Sequence, residues 1–380
     1  MGGFMNKIKR SLLLSLGLFV FVTTHPFKLF ASELKGEAKE VVSEKAEARE
    51  AAPAVKAGGK ISGAVFGDFA WFARYHSVTG STTDWENKTA LWVRRAYFTY
   101  DHTFDEHFSA RFRLEAVSGD FDDNGGVADV ARPFVKEASL KWKPNNHTLS
   151  IGMIVTPTWV GLVEDNWGYR SVEKTPLDLQ GFGSAVDLGV RADGSFMDEK
   201  LSYVAMIGNG SGTRSEVNSD KKFYGAVTVK PIKGLAIQAY GDYETGAGHT
   251  DRSNIQGFVG YTREGWRLGT LFNYRLVQQA AGGYQKIKLV SGHGAFRIVK
   301  RLWAFGRADY LFDPNTGGNT IQYLPFENTA KATFAVAGLD FEAHKNIHLM
   351  PNVETIFYSK VAGVRPRTDI VPRLTFSWNF

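Results

Sequence analysis

Apolar and polar residues alternate strictly along most of this 380-residue chain. Phe108, Phe112 and Leu114 occupy the even-numbered positions of one such stretch. Arg111 and Arg113 lie between them at odd-numbered positions. Because successive side chains of a strand point to opposite faces, this period of two predicts β-strands with one apolar and one polar face. The apolar faces need a cover, which is either a second protein layer or lipid.

Sixteen segments show the alternation, and most have roughly the 9–11 residues that a tilted membrane-spanning strand needs. Past the N-terminus, no apolar run has the length of a transmembrane helix, so a membrane form of this chain would be a barrel. The segments are 60–76, 88–100, 107–117, 134–143, 147–156, 184–193, 200–208, 221–230, 235–244, 253–262, 265–277, 285–298, 302–312, 330–343, 346–358 and 367–380.

The connections between these segments alternate between short and long. Short turns such as 143–146, 231–234 and 263–265 alternate with loops rich in Gly, Ser, Thr, Asn and Asp. The long loops are 77–87, 118–133, 157–183, 209–220, 245–252 and 313–329. This pattern predicts an all-β fold, a transmembrane antiparallel β-barrel of about 16 strands, with the short turns in the periplasm and the long loops outside the cell. A soluble β-sandwich is the alternative, but it would not require alternating connection lengths.

The last segment ends the chain on an aromatic residue. Phe376, Trp378 and Phe380 alternate with polar residues. This ending resembles the C-terminal assembly signal of outer-membrane barrels, and it implies recognition by the barrel assembly machinery. A buried terminal strand of a soluble sheet is the alternative interpretation.

The N-terminal region is predicted to lie outside the barrel. Residues 1–31 have the basic start, short apolar run and small residue at Ala31 that are typical of a cleaved signal peptide. A retained membrane anchor is the alternative. Residues 32–59 are rich in Ala, Glu and Lys, which predicts a periplasmic tether or a short helix. The barrel is therefore expected to span 60–380.

Composition excludes several classes of function. The chain has no Cys, so it has no disulfide framework, thiolate metal site or thiol catalysis. The formal net charge is +6, but residues 1–31 alone carry four basic and no acidic residues. The remaining charge is nearly balanced, which gives little support to a nucleic-acid partner.

Charged residues lie on the polar faces of the predicted strands. Guanidinium groups in a wet lumen stay charged and steer anions. Alternatively, they pair with inward carboxylates and only make the lumen polar. Arg94 and Arg95 are adjacent, so we expect only one of the two to face the lumen. The candidate pore-lining residues are Arg74, Arg111, Arg113, Glu115, Asp187, Arg191, Arg267, Arg275, Arg307, Asp309 and Arg373.

Several short motifs resemble those of the phosphate-selective porin O and P family over residues 60–380. They are Arg94-Arg95-Ala96, Ile151-Gly152-Met153, Thr156-Pro157, Gly161-Leu162-Val163-Glu164, Glu173-Lys174, Asp187-Leu188-Gly189-Val190, Asn209-Gly210 and Pro351-Asn352-Val353-Glu354. The resemblance implies a sixteen-stranded homotrimeric porin whose long loop after strand five folds inward and narrows the pore. One departure is Val186, where the family commonly has a basic residue.

The predicted constriction loop, 157–183, has a net acidic charge. Its functional candidates are Trp159, Glu164, Asp165, Trp167, Arg170 and Lys174. A phosphate-selective pore would present basic groups instead, so phosphate selectivity is not carried over. The two tryptophans either stack on sugars or pack the loop against the wall, and packing is the favoured interpretation.

Metal binding and catalysis have weak signals. Asp120, Asp122 and Asn124 have the spacing of the first half of a calcium loop, but no Glu follows at position twelve. A solvated loop is the favoured interpretation, and no metal or cofactor is predicted.

The sequence therefore predicts an outer-membrane porin. Its water-filled channel would serve passive diffusion of small hydrophilic solutes and could favour anions. Outer-membrane lipid and two further copies of the chain are the expected partners. The alternatives are a barrel-type outer-membrane hydrolase and a non-conducting structural or adhesion barrel. We expect the protein not to be an enzyme.

Overall fold

The computed structural model describes residues 57–76, 85–117, 132–216, 218–248, 250–316 and 326–380. The predicted signal peptide, nearly all of the predicted tether and the calcium candidates Asp120, Asp122 and Asn124 lie outside these residues, so those interpretations stay predictions.

Sixteen antiparallel strands form one closed barrel in which each strand pairs with its neighbours in sequence and β1 pairs with β16. This confirms the predicted fold. The strands are β1 (Gly58–Trp71), β2 (Thr89–Thr103), β3 (Phe108–Val117), β4 (Arg132–Trp142), β5 (His147–Val155), β6 (Val186–Phe196), β7 (Leu201–Gly208), β8 (Lys222–Val229), β9 (Leu235–Glu244), β10 (Arg252–Arg263), β11 (Trp266–Gln278), β12 (Tyr284–Val299), β13 (Leu302–Leu311), β14 (Ala332–His344), β15 (Ile347–Tyr358) and β16 (Asp369–Asn379).

The observed strand bounds follow the predicted segments closely, except at the end of β1. The alternation predicts a strand as far as residue 76, but β1 ends at Trp71. The amide of Ala73 donates to the carbonyl of Trp71 at 2.9 Å, and this tight turn ends the extended conformation. Period-two patterning alone does not register such a turn, because it records side-chain type and not backbone direction.

The outer surface of the barrel is apolar and the inner surface is polar. Leu91 is 75% exposed, and Ile151 and Leu268 also point outward. Polar side chains such as Asp68 and Thr99 lie inside and are buried. In water, this exposed apolar surface would be unfavourable, whereas lipid would cover it.

The chain terminus lies at the barrel seam. The backbone of Phe380 exchanges two hydrogen bonds with that of Gly63, at 2.9 and 3.0 Å. The Phe380 ring lies over Gly63 so closely that a Cβ at this position would come within 2.2 Å of the ring. A glycine at position 63 therefore makes room for the terminal aromatic residue.

Two β-bulges lie on either side of β3. One extra residue in β2, Arg94, interrupts the register between Phe66 and Gly67 of β1. The other interruption lies in β4, at Lys136, opposite Arg113 and Leu114. Each bulge places two consecutive charged residues inside the barrel.

The first bulge corrects one expectation about the lumen. Arg94 and Arg95 both face inward and are both buried, so the expectation that only one of them faces inward is wrong. Strict alternation excludes this arrangement, but an extra residue in the strand permits it.

The connection between β5 and β6 holds two short helices, α1 (Leu162–Trp167) and α2 (Pro176–Leu179). The helix α1 packs against β10 and β11. Among the described residues, no helix is both long and apolar enough to cross a membrane.

Candidate functional site

The loop between β5 and β6, residues 156–185, folds into the barrel interior. The Thr158 hydroxyl lies 2.9 Å from the Tyr240 hydroxyl of β9. The Asn166 amide donates to the Thr262 hydroxyl of β10 at 3.0 Å. On β13, the Arg307 guanidinium donates to the carbonyl of Lys174 at 2.5 Å. The inward-folded constriction loop predicted by the family resemblance is therefore confirmed.

The two tryptophans of this loop are packing residues. Trp159 is 1% exposed and lies in an apolar cluster with Phe258 of β10 and Leu289 of β12. Trp167 is also 1% exposed, and its ring contacts that of Phe305 edge-on. Neither indole presents a face to the lumen for stacking on a sugar, which agrees with the favoured interpretation.

Several arginines predicted to line the lumen contact the constriction loop. Arg275 donates to the carbonyl of Phe182 at 2.6 Å. Arg267 lies over the ring of Tyr169, with 4.8 Å between the guanidinium carbon and the ring centre. Both side chains are partly buried, and these contacts help to position the loop.

Arg307 belongs to the same set, and it pairs with Asp309 at 2.7 Å on β13. Both side chains are buried.

A buried ionic cluster joins the loop to the barrel seam. Arg94 pairs with Asp68 at 2.7 Å, and neither side chain is exposed. The Arg94 guanidinium also donates to the loop carbonyls of Ser171 and Val172.

On the other side of the seam, Arg373 of β16 lies 3.0 Å from Glu354 of β15. Arg373 also lies 3.8 Å from Glu173 of the loop. Arg373 therefore anchors the loop as well.

The wall formed by β2, β3 and β4 carries a ladder of ion pairs that faces the lumen. Glu115 on β3 is bound by Arg95 on β2 and by Lys136 on β4, the latter at 2.9 Å. One step along the strand, Arg113 pairs with Glu137 at 2.6 Å. We call Arg95, Arg113 and Lys136 the basic wall.

Arg111 continues this ladder toward the short-turn end, where it pairs with Asp101 at 2.6 Å. Arg113 and Arg111 are each about a third exposed, so both are within reach of a solute in the lumen.

The constriction loop presents carboxylates toward the basic wall. Arg170 lies between Glu164, at 3.5 Å, and Asp178, at 3.4 Å. Burial raises the pKa of Glu164 above the usual carboxyl range, although Arg170 opposes the shift. Burial also acts on Asp178, but Lys174 and Arg170 outweigh it and lower the pKa of that carboxyl. The two carboxylates therefore respond differently to acid.

A cavity of about 400 Å³ lies between the basic wall and the loop. Its charged lining residues are Arg95, Arg113, Lys136, Arg170, Glu137, Glu164 and Asp178. Four are basic and three are acidic, with the basic groups concentrated on the wall. Opposed charges across a narrow wet passage create a transverse field that acts on ions and dipolar solutes. The cavity therefore brings basic and acidic side chains together between the wall and the loop.

The remaining predicted lumen residues do not line this cavity. Asp187 is buried, where it accepts hydrogen bonds from the Gly210 amide and the Tyr224 hydroxyl. Arg191 pairs with Asp193 at 2.9 Å. Arg74 is exposed three residues beyond the end of β1. Of the loop carboxylates, Asp165 is exposed but does not line the cavity.

Lys136, Glu137 and Asp178 line the cavity but were not among the candidate site residues predicted from the sequence. A signal for the first two is present in the sequence, because consecutive charged residues in mid-strand are what a bulge accommodates. Asp178 lies in the loop, where no alternation indicates side-chain direction.

In the part of the chain that the structure describes, histidine pairs with aspartate at two places on the inner side of the barrel. His348 lies 2.8 Å from Asp340, and its side chain is 30% exposed. His76 lies 2.8 Å from Asp369, but both side chains are fully buried. The pair ties the segment after β1 to the start of β16. Among the described residues, no cluster of His, Asp and Glu has the arrangement of a metal site.

Comparisons with known proteins identify relatives by fold. No protein-family model matches the chain, and no curated protein matches it by sequence. Solved structures do match. The anion-selective porin from Comamonas acidovorans aligns with a TM-score of 0.62 at 12% identity, covering 86% of this chain and 100% of that one.

Two further structures show the same likeness. The trimer form of OmpT, an outer membrane protein of Vibrio cholerae, has a TM-score of 0.56 at 13% identity and covers 85% of this chain and 99% of its own. OmpF of Salmonella typhi, in complex with daunomycin, has a TM-score of 0.55 at 12% identity and covers 85% of this chain and 97% of its own. At these identities, the likeness shows a shared sixteen-stranded porin fold.

Proposed function

We propose that this protein is an outer-membrane porin through which small hydrophilic solutes diffuse passively. The observation that carries this proposal is the polar cavity of about 400 Å³ between the basic wall and the inward-folded loop of a closed barrel. A loop held by buried tryptophans and ion pairs gives the passage a fixed width, so solutes are sorted by size. On this proposal, solutes cross the channel without being transformed, and no enzymatic activity is expected.

The charge arrangement supports a weak preference for anions. The basic residues of the cavity lie together on the wall, and one more is basic than acidic. The anion-selective porin from Comamonas acidovorans, one of the structures with the same fold, is consistent with this preference. The preference is weak because Glu137, Glu164 and Asp178 lie in the same passage.

Phosphate selectivity is not part of the proposal. A binding site for a multiply charged anion needs several basic groups converging without carboxylates, whereas here each exposed wall arginine has an acidic neighbour. Membership of the phosphate-selective porin O and P family stays a prediction.

The proposal includes the cellular context predicted from the sequence. Residues 1–31 would be removed as a signal peptide. The tether or short helix predicted for residues 32–59 would lie in the periplasm and end where β1 begins, at Gly58. The barrel would lie in outer-membrane lipid after insertion by the barrel assembly machinery. A homotrimer is proposed because the structural relatives include a trimeric form.

Two measurements on the purified full barrel test the proposal. In planar lipid bilayers, we expect stable ohmic conductance steps. In liposome swelling assays, we expect sugar entry that falls sharply with increasing sugar size. A barrel that is shown to be folded, by its altered gel mobility before heating, but never conducts and admits no sugar would overturn the proposal.

A further inference from the structure

Three lysines lie on the outward surface of β12 and β14, near the long-loop end of the barrel. Lys286 and Lys288 have the same parity on β12 as Phe296, which is 44% exposed on the outer face. Lys331 is exposed one residue before β14 and shares the outward parity of Thr333. We call Lys286, Lys288 and Lys331 the lysine rim.

The lysine rim is weakly neutralised by the described residues. Lys288 has one carboxylate near it, Asp313, at 3.8 Å. Within the described ranges, no carboxylate lies within 4.0 Å of the ammonium group of Lys286 or Lys331. Three like charges on one face of the barrel therefore leave a local positive potential.

Aromatic side chains mark the level of the lysine rim relative to a bilayer. Tyr284 and Tyr310 point outward beside it and are 48% and 38% exposed. The Lys288 ammonium lies 5.8 Å from the centre of the Phe312 ring. Tyrosines gather where a membrane meets water, and lysines avoid the hydrocarbon core. The lysine rim thus lies at headgroup level.

Below the lysine rim, toward the short turns, the same strands carry small outward residues. Gly292 pairs with Ala308, and Gly294 pairs with Gly306. On the next strand, Gly306 and Ala308 pair with Ala337 and Ala335. A Cβ placed on Gly292 would meet no atom within 4 Å. At Gly294, by contrast, a Cβ would come within 3.1 Å of the Leu268 side chain, so the open depression lies around Gly292. We call these six residues, with the depression at Gly292, the Gly/Ala face.

We propose that the lysine rim and the Gly/Ala face together bind one phosphate-bearing lipid of the outer leaflet. The phosphate would lie against the lysines, and an acyl chain would lie along the Gly/Ala face. A positive group above an apolar depression complements the two parts of an anionic lipid. The inference rests on the proposed outer-membrane location. It does not depend on conductance, because the site faces away from the lumen.

Native mass spectrometry of the full barrel in neutral detergent tests this inference. The probes are phosphatidylglycerol and phosphatidylcholine with identical acyl chains. We expect wild-type protein to retain phosphatidylglycerol preferentially. In the triple variant K286Q/K288Q/K331Q, the preference should fall by roughly fivefold for each lysine removed. Gly292→Leu should weaken retention of both lipids, because its side chain fills the depression.

Matched controls separate this site from general charge effects. The variant K200Q/K230Q/K233Q removes three exposed lysines from the short-turn end and should keep the wild-type preference. An unchanged preference in K286Q/K288Q/K331Q would overturn the inference. A change in oligomeric state of that variant, with lipid retention intact, would overturn it in favour of a subunit contact. A barrel that fails to conduct but shows the expected lipid preference would reject the proposed function alone.

Discussion

Arg94 and Asp68 form an ion pair at 2.7 Å on the inner wall of the barrel, and neither side chain is exposed to solvent. Arg94 is the extra residue of the β2 bulge, so its guanidinium reaches inward next to that of Arg95. It also binds the carbonyls of Ser171 and Val172 in the constriction loop. One bulge residue therefore links the wall, the seam and the loop that narrows the passage.

Removing Arg94 alone should destabilise the barrel. Arg94→Met leaves the Asp68 carboxylate buried without its partner, which costs about 3–5 kcal/mol. The double variant D68L/R94M removes both charges and should lose less stability than the single variant. Urea unfolding in lipid vesicles measures the difference. Equal destabilisation by both variants would show that the charge pair is not the cause.

Trp159 should control the position of the loop. Trp159→Ala removes a fully packed indole from the cluster around Phe258 and Leu289, at a cost of about 3–5 kcal/mol. The loop should then move away from its packed position, and the single-channel conductance should rise and become noisier. Trp266→Ala is the matched control, because that ring is 53% exposed on the outer face. If both variants conduct like wild type, the loop does not depend on this packing.

Ion selectivity should change with pH in a defined direction. Burial raises the pKa of Glu164, so this group takes up a proton earlier than an ordinary carboxyl as the pH falls. The pKa of Asp178 is lowered by Lys174 and Arg170, so it stays charged further into the acid range. The passage therefore becomes more positive on mild acidification, and anion preference should increase.

Reversal potentials across a salt gradient at successive pH values measure this effect. Glu164→Gln should remove the first step of the increase. Asp178→Asn should raise anion preference at neutral pH and keep that step. A pH response of Glu164→Gln that matches wild type would assign the titration to another group.

The seam between Phe380 and Gly63 should govern assembly. Phe380→Ala removes the ring that covers Gly63, and Gly63→Leu places a side chain where that ring lies. Both variants should lower the fraction of barrel that folds. Phe196→Ala, at the short-turn end of β6 and 49% exposed, should fold like wild type. The change in gel mobility on heating reports the folded fraction. If Phe380→Ala folds as well as wild type, Phe380 is not part of the assembly signal.

The barrel could be predicted from the sequence because the pattern that produces it is local and recurs in every strand. Alternation sets the two faces of each strand, and the alternating loop lengths set the topology. The same reasoning correctly placed Arg113 and Glu115 on the inner wall. The alternation did not predict the positions of Arg94 and Lys136, because one extra residue in a strand shifts the inward and outward positions of the residues that follow it.

The loop shows a second limit of sequence reasoning. Arg267, Arg275 and Arg307 do point inward, as alternation predicts, yet each also contacts the constriction loop. Alternation gives the direction of a side chain and not what another segment places on top of it. The net acidic charge of the loop also did not predict the charge of the whole passage, because most of the basic groups of the passage lie on the wall opposite the loop.

The central claim is that charges at the constriction select ions in an open pore, and the reversal potential of single channels tests it most directly. In a potassium chloride gradient, wild-type protein should show a weak preference for chloride. Arg113→Gln, which removes a lining charge of the basic wall, should reduce that preference, whereas Arg301→Gln at an exposed short turn should not. Cation preference in the wild type, or identical potentials for Arg113→Gln and wild type, would contradict the account.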